Sequence, residues 1–282
     1  MQYRTINHQD VLSWLPDRKS WSHKENFGRI LLLCGSVGYT GAAAMAALGA
    51  LRTGAGLVYL GVPESIYAIE AVKLTEPIII PLADDYGKLG QDSLHRISEL
   101  LPRMNAVLIG CGLGQSEGTF SVVKAVLEQA RCPVVLDADG INLLSEHMDI
   151  LRGRRYPTVL TPHDGEFARI GGTIGENRLE SAVDFARQWG CVLLLKGFRT
   201  CITDGQTHYI NTTGNPGMAT GGSGDVLAGM IASLIGQGLL PLEAAVCSAW
   251  LHGAAGDICA KEIGQYGMLP TDMLQVLPRL MK

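Results

Sequence analysis

Six short apolar runs punctuate this 282-residue chain: Arg29 to Cys34, Leu57 to Val62, Ala106 to Ile109, Pro133 to Leu136, Thr158 to Leu160 and Cys191 to Leu195. Uniformly apolar strands, as opposed to alternating ones, are expected where helices cover both faces of a parallel sheet. The segments between them carry helical spacing, as in Ile66, Ile69, Val72 and Lys73, in Val122, Val123, Val126 and Leu127, and in Leu179, Val183 and Ala186. The alternation predicts an α/β fold, a doubly wound, mainly parallel sheet with helices on both faces. Arg199 to Thr203, the pair Asp204-Gly205, and Gln206 to Ile210 predict a late β-hairpin with a two-residue turn. Helices over Asp225 to Gly236, over Leu242 to Ala260 and from Pro270 follow. Residues 1–25 read as an N-terminal arm and 26–282 as one catalytic domain.

Twenty-three Lys and Arg against 27 Asp and Glu, with no basic run, give a net charge of −4 and speak against a nucleic-acid partner. The seven cysteines form no C-x-x-C pair and sit mostly in apolar runs, so they read as reduced core thiols. The first twenty residues lack an apolar signal segment, and the small-residue stretch Thr40 to Leu51 is too short to span a bilayer. The expectation is a cytoplasmic protein that does not enter a membrane. Thirty-five glycines, about twice the usual share of roughly 7%, imply many tight turns and close approaches.

The densest glycine cluster carries the chemistry. Gly221-Gly222-Ser223-Gly224-Asp225 precedes an amphipathic helix with Val226, Leu227, Met230, Ile231, Leu234 and Ile235 on its apolar stripe. Backbone N–H groups of such a turn, backed by the helix dipole, suit phosphate oxygens. Gly222, Ser223 and Gly224 then stabilise a transferring phosphoryl group, and Asp225 acts as base towards a hydroxyl. The plainer alternative makes Ser223 or Asp225 a helix cap. Asp137 and Asp139, at the end of another strand, read as a pair on one side in which one acid organises neighbouring loops by hydrogen bonding, with a metal pair as the alternative. Gly110-x-Gly112-x-x-Gln115 lacks the third glycine of a dinucleotide fingerprint and reads as a glycine loop lining a cleft. Glu166 either holds Mg2+ through water or sits as an acidic residue in the first turn of a helix. The alanines after Ala42 read as tight helix-on-sheet packing.

The sequence resembles the ADP-dependent (S)-NAD(P)H-hydrate dehydratases of the ribokinase-like superfamily. Six motifs in order carry the likeness: Gly35-Ser36-x-x-Tyr39-Thr40-Gly41-Ala42, Gly112-Leu113-Gly114, Asp137-Ala138-Asp139-Gly140, Thr161-Pro162-His163-x-Gly165-Glu166, Lys196-Gly197-x-x-Thr200 and Asn215-x-Gly217-Met218-Ala219-Thr220-Gly221-Gly222-Ser223-Gly224-Asp225. The resemblance implies repair of NADH and NADPH hydrated at C6, with ADP (or ATP) as co-substrate, Mg2+ on the phosphates, and AMP and phosphate as products when ADP is used. It implies contact of the hydrate with Ala42, Gly112, Gly114, His163 and Asp225. It assigns the AMP moiety to Lys196, Gly197, Phe198, Arg199, Thr200 and Gly224. A homotetramer is also implied, as is a separate epimerase that supplies the S epimer, since about 25 residues before the first strand leave no room for one. The nearest rival is an ATP-dependent kinase of vitamin precursors or sugars in the same superfamily. A nucleotide sensor without activity is disfavoured by Asp225, because a carboxylate does not help to bind an anion.

Overall fold

A computed structural model describes residues 2–282. In chain order the elements are α1 (His8–Trp14), β1 (Arg29–Leu33), α2 (Thr40–Arg52), β2 (Leu57–Pro63), α3 (Glu64–Lys73), β3 (Ile78–Leu82), the two-residue strands β4 (Asp84–Asp85) and β5 (Lys88–Leu89), α4 (Leu94–Leu100), β6 (Ala106–Ile109), α5 (Glu117–Gln129), β7 (Val134–Leu136), α6 (Asp139–Asn142), β8 (Thr158–Leu160), α7 (Asp164–Arg169), α8 (Arg178–Trp189), β9 (Val192–Leu195), β10 (Cys201–Thr203), β11 (His208–Ile210), α9 (Ser223–Gly236), α10 (Pro241–Glu262) and α11 (Pro270–Leu280).

Nine strands form one sheet in the order β11-β10-β9-β8-β7-β6-β1-β2-β3. Every pair from β9 to β3 is parallel, and β10 runs antiparallel to both β9 and β11. One face is covered by a core that includes α2, α9, α10 and α11, the other by a core that includes α4, α5 and α8. The uniformly apolar runs are therefore the strands buried on both sides.

From β1 the chain builds outward through β2 and β3, then returns to add β6 on the opposite side of β1. The strand order reverses between β1 and β6, and open α/β sheets bind ligands outside the carboxyl ends of their strands at such a point.

The structure departs from the sequence reading in four places. β3 is a strand that Pro81 concealed; it is the edge strand, where a residue without an N–H is tolerated. The late hairpin has a four-residue loop, since Thr203 pairs with His208. Asp204 Oδ1 accepts from the N–H of Gln206 (2.9 Å) and of Thr207 (2.7 Å), a side-chain turn that lengthens the connection. Helix α9 begins at Ser223, two residues before Asp225. Finally, the small residues of α2 meet another helix besides the sheet. A Cβ on Gly229 would lie 2.1 Å from the Ala46 carbonyl oxygen, and one on Gly49 2.5 Å from that of Val226, so the α2 and α9 backbones touch. Any side chain at either glycine would force the helices apart.

The arm packs along the body. Arg4 N–H donates to His208 O (2.9 Å) and Ile210 N–H to Arg4 O (3.0 Å), covering the open edge of β11. Val11 is fully buried, and His8 stacks on Trp250 with ring centroids 5.3 Å apart.

Candidate active site

Five neighbouring strands, β9, β8, β7, β6 and β1, end beside one another and deliver Lys196, Thr161 to His163, Asp137, Gly110 to Cys111 and Cys34 to Gly35 to one edge of the sheet. The first turn of α9 closes over them. A Cβ on Gly224 would stand 3.4 Å from Lys196 Nζ and 3.9 Å from Asp137 Oδ2, so the glycine turn lies directly against this ion pair.

Asp137 is buried, and its Oδ1 accepts from Lys196 Nζ at 2.8 Å and from Thr161 Oγ1 at 2.6 Å. Lys196 Nζ also lies 3.7 Å from Glu166 Oε2. Burial pulls the Lys196 ammonium down, but the charges of Asp137 and Glu166 outweigh it and leave the pKa raised. Lys196 is thus a fixed cation inside the site and not a side chain released to solvent.

Asp225 faces the same cluster. Burial, and then the charge of Asp137, push its carboxyl up to about 6, against the pull of the Cys111 thiol and of Lys196. A half-buried carboxylate poised near 6 is ionised at neutral pH yet holds a proton better than an ordinary aspartate, which suits a general base.

Helix α9 has no side-chain cap. Gly222, at φ 94°, is its N-cap residue, and among the described residues no acceptor takes the N–H of Gly222 or Gly224. Neither Ser223 nor Asp225 caps the helix. These donors and the dipole behind them remain free for an anion.

Helix α10 holds the loop that leads into this turn. Asp257 accepts from Gly214 N–H (2.9 Å) and Asn215 Nδ2 (3.0 Å), and Thr213 Oγ1 donates to Trp250 O (2.9 Å). His252 Nε2 lies 3.4 Å from Ser223 Oγ, and burial first, then the charge of Lys196, lowers His252 to about 4, so it stays neutral. A Cβ on Gly253 would meet Thr213 Oγ1 at 2.3 Å, and one on Gly256 would meet Met218 Sδ at 2.3 Å. Sequence reading missed this support. The signal was present in His252-Gly253-x-x-Gly256-Asp257, since two glycines inside a helix mark a close approach.

The remaining predicted residues fall around the rim. Gly112, at φ 60°, packs beside Ala42: a Cβ on it would lie 2.8 Å from the Ala42 Cβ. Gly114 N–H donates to Asp139 Oδ2 (2.8 Å) and Gln115 Nε2 to Asp139 Oδ1 (3.0 Å), so Asp139 ties down the glycine loop while Asp137 enters the pocket. The two acids part because the strand stops at Leu136 and Ala138 turns to φ 47°. His163 caps α7: its Nδ1 accepts from the N–H of Gly165 (3.0 Å) and of Glu166 (3.2 Å), which places the proton on Nε2. Glu166 returns the contact, with Oε2 accepting from His163 N–H at 2.9 Å. Gly197 to Thr200 form an exposed turn closed by Thr200 Oγ1 donating to Gly197 O (2.9 Å). Phe198 stands 92% exposed at its tip, and Arg199 donates to Tyr3 Oη of the arm (3.0 Å).

The acids here do not converge as direct ligands of a resident Mg2+. Mg2+ takes oxygen ligands in octahedral geometry. Among the described residues, the one group of metal-type donors that converges, Cys111, Asp137 and Asp225, includes a thiol, and the oxygens of Glu166 already face His163 and Lys196.

A carboxylate beside an uncapped glycine turn, at the carboxyl ends of a doubly wound sheet, defines the class as ribokinase-like. Arabidopsis thaliana ribokinase shares the fold, with a TM-score of 0.59 over 90% of this chain and 99% of its own at 15% identity. Within that class the chain belongs to the NAD(P)H-hydrate dehydratase family, whose model matches residues 30–279. It is 48% identical over 96% of its length to the bifunctional NAD(P)H-hydrate repair enzyme of Moorella thermoacetica, of which it covers 52%. The chain spans about half the length of this and the other first curated relatives it matches. The ADP-dependent (S)-NAD(P)H-hydrate dehydratase of Nitrosopumilus maritimus is 34% identical over 100% of this chain and 98% of its own. The Bacillus subtilis ADP/ATP-dependent NAD(P)H-hydrate dehydratase, co-crystallized with ATP and Mg2+, superposes with a TM-score of 0.86 at 33% identity, covering 99% of this chain and 98% of that one.

Proposed function

We propose that this chain dehydrates the (6S)-hydrates of NADH and NADPH with ADP as phosphoryl donor. The observation that carries the reading is Asp225, a carboxylate held near pKa 6 beside free N–H groups and a fixed ammonium. Asp225 takes the proton of the C6 hydroxyl as its oxygen attacks the β-phosphorus of ADP. The bond from phosphorus to the bridging oxygen breaks and AMP leaves. The ring nitrogen lone pair then expels phosphate from C6, and loss of a C5 proton restores the reduced nicotinamide. Phosphorylation is needed because hydroxide is a poor leaving group and phosphate a good one. The N–H groups of the glycine turn and Lys196 hold the phosphoryl charge where it develops.

Asp137, Glu166 and Asp225 place three carboxylates around one ammonium. Polyphosphate entering that pocket needs further positive charge, which Mg2+ supplies when it arrives on the nucleotide. The hydrate contacts Ala42, Gly112, Gly114 and His163. Gly197 to Thr200 offer the exposed Phe198 ring and Arg199 to the adenylate. A hydrate epimerase supplies the S epimer.

The test is to mix the protein with Mg2+, ADP and hydrated NADH, and to follow both nicotinamide absorbance and inorganic phosphate. Both should rise in equal amounts and only with nucleotide. A stable phosphorylated product without free phosphate would instead make the chain a kinase.

A further inference from the structure

Cys111 has no part in the reaction above, yet its thiol lies between the two acids of the pocket. Cys111 Sγ, an Asp137 oxygen and an Asp225 oxygen all fall within 4.8 Å of one another. Cys111 and Asp137 are buried, while Asp225 is half-buried and keeps access to solvent. In tetrahedral zinc sites, with bonds of about 2.0–2.3 Å, neighbouring ligand atoms stand roughly 3.5 Å apart, so small side-chain rotations would close this triad on an ion.

Charge and support point the same way. One thiolate and two carboxylates carry −3, which one Zn2+ and the Lys196 ammonium bring to zero. The oxygen of Asp137 nearer the thiol, Oδ2, lies 3.6 Å from Cys111 Sγ, while Oδ1 is held by Lys196 and Thr161. Ligating carboxylates in metal sites are oriented by such outer hydrogen bonds. The thiol selects a borderline-soft ion over Mg2+.

We propose that Cys111, Asp137 and Asp225 form a three-ligand Zn2+ site whose fourth position is open to solvent, and that zinc there competes with the substrate hydroxyl for Asp225. Binding is ligand exchange without redox change: the Zn–S bond forms as the Cys111 S–H proton passes to solvent. The metal site stands on the geometry alone. Its inhibitory effect rests on Asp225 being the base.

The experiment titrates Co2+, a spectroscopic stand-in for zinc, into the purified full chain. The expected result is one Co2+ bound per chain with thiolate-to-metal charge-transfer absorption, abolished by stoichiometric Zn2+ and absent from Cys111→Ala. Asp225→Asn serves as a second variant if Cys111→Ala does not fold. It should weaken zinc at least tenfold, since losing even an outer partner costs roughly 10–100-fold. Bound Co2+ without a thiolate band, or a band that survives in Cys111→Ala, would overturn the site. Zinc that binds through Cys111 but leaves turnover untouched would uphold the metal site and overturn the competition at Asp225.

Discussion

Helices α8 and α9 both begin at the rim of the sheet, and their N-termini are built in opposite ways. Asn177 caps α8, its Oδ1 accepting from the N–H of Leu179 (3.2 Å) and Glu180 (3.3 Å), so that terminus is satisfied within the chain. At α9, Gly222 supplies no acceptor and Asp225 sits in the first turn with its carboxyl raised to about 6. A cap is worth about 0.5–2 kcal/mol, and α9 goes without one. The second helix keeps its donors for a ligand, where the first uses them for stability.

The largest expected effect is at Asp225. Asp225→Asn should lower turnover by about 10² to 10⁴, the usual range for a positioned base, while calorimetry shows nucleotide affinity retained. The same change should stabilise the fold. The folded carboxyl titrates near 6 and the unfolded one near 3.8, so the unfolded state ionises first as pH rises. Asp225 therefore lowers stability progressively between those values and does so fully above about 6, by roughly 2–3 kcal/mol. Asp225→Asn should melt higher than the parent at neutral pH, with the gap closing below about pH 4. Equal melting at neutral pH would contradict the raised pKa.

Lys196→Ala should come next, because it leaves Asp137 buried without its cation. Breaking a buried pair costs about 3–5 kcal/mol, measurable by urea unfolding, and calorimetry should show weakened nucleotide binding. Unchanged nucleotide affinity would remove Lys196 from the phosphate site. Asp257→Ala, which frees Gly214 and Asn215 from α10, should lower turnover about tenfold, roughly 1.4 kcal/mol of lost positioning. Unchanged turnover would show that the glycine turn keeps its shape without α10. The smallest effect should be Asn177→Ala: about 1 kcal/mol of stability, read by chemical unfolding, with turnover within about twofold. A larger loss of turnover would mean that the capped helix is as functional as the uncapped one.

The same contrast explains what could be read beforehand. The strands of the sheet centre were legible because burial on both faces makes them apolar throughout, as at Ile30 to Leu33 and Ala106 to Ile109. β3 escaped because edge strands follow looser rules. The glycine turn was legible because three glycines clustered at the start of a helix have few other uses. The convergence of Cys111, Asp137 and Lys196 was not, since it depends on which strands lie side by side, and β6, β7 and β9 are separated by long stretches of chain. Asp257 was hidden for a related reason. It serves a loop more than forty residues earlier, through a helix whose own pattern explained it well enough.

The most direct measurement is the pH dependence of kcat/KM for the hydrate in the unmodified protein, since it reports the base in the free enzyme. The account predicts a rate that rises with pH and reaches half its plateau near pH 6, with that ascending limb absent from the residual activity of Asp225→Asn. A rate flat from roughly pH 5 to 7, or the same limb surviving in Asp225→Asn, would show that another group takes the proton.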